Sequence, residues 1–154
     1  MTYPRIKTAA LFLSIATLQA AVFTLMPLSA ARADDGASLT LSFSGIDTSA
    51  GAIMAGVYDT ESAFTGGEPV QGVRIEISGA DATVTVTGLT PGRYAIKAYH
   101  DVNGDGQLNT NPFGLPTEPY AASNNAPFNM GPPAWADAVF EVAAGENSQS
   151  ITID

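Results

Sequence analysis

The stretch Ala82-Thr83-Val84-Thr85-Val86-Thr87-Gly88-Leu89-Thr90-Pro91-Gly92-Arg93-Tyr94-Ala95-Ile96-Lys97-Ala98 decides the fold class. Ala82, Val84 and Val86 alternate with three threonines. Side chains of a strand point to opposite faces in turn, so one face is apolar and the other carries β-branched hydroxyls suited to water. Pro91 pre-sets φ for a turn, and its flanking glycines supply the positive-φ positions. Tyr94, Ile96 and Ala98 then resume the alternation with Lys97 on the outer face. The segment reads strand, turn, strand.

The same period of two recurs on both sides. Leu39, Leu41 and Phe43 alternate with Thr40 and Ser42. Beyond a turn at Asp47–Gly51, Ile53, Ala55 and Val57 alternate with Met54, Gly56 and Tyr58. Val73, Ile75 and Ile77 share a face, as do Ala138, Phe140 and Val142. Ile151 and Ile153 close the chain after a turn at Gly145-Glu146-Asn147. No window of 11 or more residues beyond the apolar N-terminal run carries a helical period of 3.6. Short strands with regular turns predict an all-β chain, a seven-stranded antiparallel β-sandwich of the Ig-like or prealbumin-like kind.

Composition bounds what such a domain does. With 154 residues, one core is expected. Only 14% of residues are charged and 45% are hydrophobic, so the chain buries enough surface to offset ordering entropy. The absence of cysteine excludes disulfides, thiolate zinc sites and thiol nucleophiles, and one histidine excludes His-rich metal centres. A formal charge of −9 excludes nucleic acid as a partner, because phosphates need a basic surface.

The N-terminus reads as an export address. Arg5 and Lys7 precede an uncharged, apolar run that ends in Ala31-Arg32-Ala33 before Asp34-Asp35. A basic start, an apolar middle and a small-x-small exit are the order of a signal peptide, here residues 1–33. The expected mature domain is 34–154, periplasmic or extracellular. It keeps three basic residues (Arg74, Arg93 and Lys97) against all 15 acidic ones, a formal charge of −12. No second apolar span or polybasic patch would hold it in a membrane.

The long loop 101–136 breaks the strand rhythm with 4 Gly, 6 Pro and 6 of the chain's 7 Asn. Loops of such length in compact domains are usually functional. It opens with Asp101-Val102-Asn103-Gly104-Asp105-Gly106-Gln107-Leu108-Asn109, which fits the first nine positions of a calcium loop. Asp101, Asn103 and Asp105 would be side-chain ligands, Gln107 would offer its carbonyl oxygen, and Asn109 would bind directly or through water. The twelfth position is Pro112 instead of a bidentate Glu, so Glu118 or another distant carboxylate would have to close the site. The competing reading is an Asn/Asp/Gly turn whose side chains bond their own backbone.

His100 continues the inward face of Tyr94, Ile96 and Ala98, and is expected to be a hydrogen-bonded structural residue. No Ser, Cys or second His stands ready for it to activate, and no G-x-S-x-G or HExxH motif occurs. The chain therefore reads as a non-enzyme. Tyr120, Phe128 and Trp135 would either stack on a flat ligand such as a sugar ring or form a satellite core under the loop.

The runs Gly88–Ala95, His100–Gly106, Asn111–Glu118, Ser123–Asn125 and Gly131–Ala138 together carry a resemblance. The first resembles the turn-and-strand signature of prealbumin-like and carboxypeptidase-regulatory-like sandwich domains. In order and spacing, the whole set resembles the exported bacterial family called domain of unknown function 2141, over roughly Leu39–Ile153. That resemblance implies an exported β-sandwich and no assigned activity. The expected role is a non-catalytic envelope module that binds an envelope protein or a glycan through the 101–136 loop, with no certain cofactor and calcium as the one candidate. A small carboxylate-dependent glycan hydrolase and a purely structural sandwich are the alternatives.

Overall fold

Leu39, Leu41 and Phe43 are all but fully buried, and the strand that carries them, β1 (Ala37–Ser44), is the spine of one sheet. The structure, a computed structural model, describes residues 36–77, 79–129 and 131–154. The signal peptide expected at 1–33 lies outside the described residues. Among those described, no helix is long and apolar enough to cross a membrane.

β1 stands between β4 (Ala82–Leu89) and β8 (Gly145–Thr152) in a three-stranded sheet. It runs antiparallel to β4 but parallel to β8, from Ala37 opposite Gly145 to Ser44 opposite Thr152. This corrects two expectations. The sheets are not antiparallel throughout, and Gly145-Glu146-Asn147 begins a strand instead of forming a separate turn. The first six residues of β8, Gly145–Ser150, are polar or glycine, so no apolar alternation marks them. Their order comes from backbone pairing with β1 and from the Asn147 side chain, whose amide donates to Ser38 and Ala143 carbonyls.

The second sheet has five strands. β2 (Ala52–Tyr58), β3 (Gln71–Glu76), β5 (Gly92–Asp101) and β6 (Tyr120–Ala122) lie in the order β3-β2-β5-β6, and β7 (Phe140–Val142) pairs with the start of β5. Among the described residues eight strands stand where seven were expected. The additional one, β6, is three residues long and sits inside the Asn/Pro-rich loop. β4 and β5 fall in different sheets, so the Thr90–Pro91 turn carries the chain from one layer to the other.

The inner faces of both sheets meet in one apolar cluster, with Leu39, Leu41 and Phe43 of one sheet against Ile53, Val57 and Ile96 of the other. Fully burying a side chain of this size is worth about 1.5–3 kcal/mol. A second, smaller cluster covers the opposite face of the five-stranded sheet: Phe64, Ala95, Ala122, Ala126 and Ala138. Phe64 comes from helix α1 (Glu61–Gly66), whose start is capped by Thr60 Oγ1 accepting from Ala63 N. Trp135 opens helix α2 (Trp135–Ala138) and meets the Phe64 ring edge-on at 5.6 Å. Ala138 therefore ends a helix, and the strand expected from it begins at Phe140.

Candidate functional site

The acidic turn Asp101–Asn109 curls on itself. Asp101 is 1% exposed at the end of β5, and its carboxylate accepts from three backbone amides: Gly104 and Asp105 on Oδ1, Gly106 on Oδ2. Asn103 Oδ1 accepts from Asp105 N, and Asp105 Oδ1 accepts from Gln107 N. The side-chain amides of Asn103 and Asn109 both donate to Asp105 Oδ2. These bonds, led by that of Asn109 and then by the Gln107 amide, hold the Asp105 carboxyl below its ordinary pKa. Gly106, in the sixth position, has φ near +77°, the left-handed backbone a sharp loop requires.

Glu118 closes the same turn from a distance. It is buried, and its two oxygens accept from Val102 N and Asn109 N, at 3.0 Å each. Tyr99 supports the turn from below, its hydroxyl donating to Gly106 O at 2.8 Å. Burial first, then the charges of Asp101, Glu118 and Asp105, keep that phenol protonated by raising its pKa. The structure thus brings together Asp101, Asn103, Asp105, Asn109 and Glu118, and places the Gln107 amide on Asp105.

His100 lies inside the same corner at 1% exposure. Its Nε2 donates to Ala50 O at 2.7 Å, and its backbone amide donates to Pro119 O at 2.8 Å. One residue therefore ties the 47–51 turn, β5 and the return of the loop. Further along β5, the Ile96 amide lies between the stretches paired with β7 and with β6. The buried Ser123 hydroxyl accepts from it and donates to Ala138 O.

Strand register builds a groove on the outer face of the five-stranded sheet. Arg74, Met54, Tyr99 and Tyr120 stand in one cross-strand row on β3, β2, β5 and β6. Gly72, Gly56, Lys97 and Ala122 form the next. Two glycines in this row leave its floor low: the Tyr58 ring lies over Gly56, while nothing stands within 4 Å of where a Gly72 side chain would begin. Leu108, Leu115 and Pro116 from the first half of the loop, and Phe128, Pro132 and Pro133 from the second, rise as walls. The groove so formed has a volume of about 740 Å³. Among the described residues that line it there are two cations, Arg74 and Lys97, and no carboxylate.

The loop's tip is stiff and apolar. Asn111 Oδ1 accepts from the amides of Phe113 and Leu115, a backbone bridge joins Thr110 to Pro116, and Phe113 stands 88% exposed.

A family model described as an uncharacterized protein conserved in bacteria, DUF2141, matches residues 41–151. The chain belongs to that family. The match runs from β1 to β8 and takes in the acidic turn, the loop and every groove-lining strand. No curated protein and no solved structure matches the chain. The DUF2141 description names no activity, so the chemistry of the site rests on its own residues.

Of the aromatic trio singled out in this DUF2141 chain, the structure divides the members. Tyr120 and Phe128 meet edge-on at 4.4 Å and line the groove. Trp135 does not join them, because it packs on Phe64 in the satellite core. Lys97, Tyr99, Met54 and Gly72 were absent from the sequence-level site. Their signal was present as Met54, Tyr58 and Tyr99 on strand faces that alternation assigns to solvent. Large side chains on the outer positions of neighbouring strands mark a second apolar layer.

Proposed function

We propose that this DUF2141 protein is a non-catalytic binding module of the cell envelope that holds a small apolar ligand in the groove under its 101–136 loop. The groove carries the reading. Its volume of about 740 Å³ falls within the range of small-molecule sites, roughly 300–1,000 Å³. Apart from Arg74, Lys97 and Thr110 its lining is aromatic, aliphatic or glycine, with no Asn, Gln, Asp or Glu side chain among the described residues. A polyhydroxylated glycan needs such groups to satisfy its hydroxyls, so an apolar ligand fits better. A carboxylate hydrolase needs two acids facing a cleft, whereas both Asp101 oxygens are taken by backbone amides. Envelope location follows from the leader motif at residues 1–33.

Gly72→Leu tests this with little structural cost, since the new side chain enters open space on a strand where glycine is unfavourable. A neutral fluorescent amphiphile such as N-phenyl-1-naphthylamine should bind the unmodified protein and lose at least ten-fold in affinity on the variant, at unchanged melting temperature. Equal binding by both proteins would remove the groove from the reading.

We propose calcium as the cation of the Asp101–Asn109 turn on the strength of its ligand spacing alone: among the described residues no three carboxylates or histidines are grouped to hold a metal, and the Asp101, Asn103, Asp105 and Glu118 oxygens accept from amides of the loop itself. The turn carries its own bonds, so calcium would tighten it without being needed to form it. Calorimetry with calcium chloride should give heat, and the melting temperature should fall in chelator. No heat and no shift would leave a self-contained Asx turn.

A further inference from the structure

Lys97 is the one basic residue among those described that no carboxylate pairs. Arg74 is bound to Glu76, and Arg93 lies 3.9 Å from Glu141. Lys97 projects from the middle of β5 into the groove and is half-buried. Its ammonium donates to Phe64 O and stands 4.5 Å from the Phe64 ring centroid and 5.3 Å from that of Tyr58. This is an aromatic cradle that fixes the charge in place while leaving donors free.

Removing an ammonium from water is costly unless an anion meets it. Burial accordingly draws the Lys97 pKa below the ordinary lysine range. The chain holds 15 acidic residues, yet none supplies that anion and none lines the groove among the described residues. A site so arranged is complementary to a ligand that brings its own negative charge.

We propose that the groove ligand is a single-chain carboxylate amphiphile, its acid group against the Lys97 ammonium and its hydrocarbon along Tyr99, Leu115, Tyr120 and Phe128. The Lys97 ammonium offers one positive charge with no carboxylate partner, which a monoanion neutralises, whereas the charge of Arg74 in the neighbouring row is offset by Glu76. The apolar walls match the chain, and the open floor beside Gly72 gives it a path along the sheet. The inference rests on the groove reading and narrows it to a class of ligand.

The experiment compares dodecanoate with dodecanol, two ligands of equal chain length that differ in charge, by displacement of the fluorescent probe. Dodecanoate should bind the unmodified protein at least ten-fold more tightly than dodecanol. Lys97→Met should abolish that preference, while Lys97→Arg should keep it. The comparison on the unmodified protein stands even where Lys97→Met folds poorly after losing its bond to Phe64 O. Equal affinity for acid and alcohol, both lost in Gly72→Leu, overturns the anion inference and leaves the groove reading intact. If neither amphiphile displaces a probe that Gly72→Leu fails to bind, this inference falls and the groove reading stands; if Gly72→Leu binds probe and amphiphiles normally, the groove reading fails and this inference with it.

Discussion

Gly51→Ala is expected to lower the unfolding free energy by about 3 kcal/mol or more, combining positive-φ strain with overpacking against backbone. Gly51 has φ near +74°, and a Cβ built there would stand 1.8 Å from the carbonyl oxygen of Asp101 and 2.9 Å from Val102 Cα. Those are main-chain atoms of the strand end that opens the acidic turn, so no side chain can rotate aside. Relief requires β2 and β5 to part where Ala52 faces Asp101, which also pulls Ala50 O from His100. Gly88→Ala is the control. Gly88 has the same sign of φ, near +77°, but nothing stands within 4 Å of its Cβ position. It should cost only the conformational part, about 1–2 kcal/mol. Urea unfolding with unchanged m-values would measure both. Equal losses would mean that the close approach of Gly51 to Asp101 does not exist in solution.

The strands that could be read in advance are those whose two faces meet different surroundings. β1, β2, β4 and β5 each set one apolar row against the common core, and alternation reports that directly. Other elements gave no such signal. β8 is polar over most of its length and is held by parallel pairing with β1, a contact 107 residues away in sequence for Ser38 and Gly145. β6 has three residues, two of them alanine, too few for any period. Helix α1 spans six residues, below the window in which a 3.6 period shows.

The candidate site divides in the same way. The acidic turn is local apart from Glu118, so its residues were legible as one group, and all six are linked by hydrogen bonds in the structure. The groove is not local. Arg74, Met54, Tyr99 and Tyr120 come from four strands and meet only through register. Lys97 looked like an ordinary solvated charge on an outer strand face. It became a site residue once α1, unmarked by any period, brought the Phe64 carbonyl and ring against it.

Asp101→Ala is expected to cost about 2–3 kcal/mol, the range for hydrogen bonds to a charged acceptor. The carboxylate is 1% exposed and collects the amides of Gly104, Asp105 and Gly106. Three donors are released at once, but the three glycine and aspartate positions are themselves exposed, so water replaces part of the loss. Asp101→Asn separates charge from shape. Its amide oxygen can keep the bonds of Gly104 and Asp105, but its NH₂ then meets the Gly106 N–H donor head-on. About half of the alanine loss is expected. The effect should also be local: amide exchange at Gly104, Asp105 and Gly106 should quicken strongly in Asp101→Ala, while Leu41 and Ile96 in the core keep their protection relative to global stability. Glu118 bonds Val102 and Asn109 independently, so the wide base of the turn should survive and the groove walls beyond Asn109 should still bind an amphiphile. Loss of amphiphile binding in Asp101→Ala at full folding would show that the acidic turn and the groove are one site instead of two neighbours.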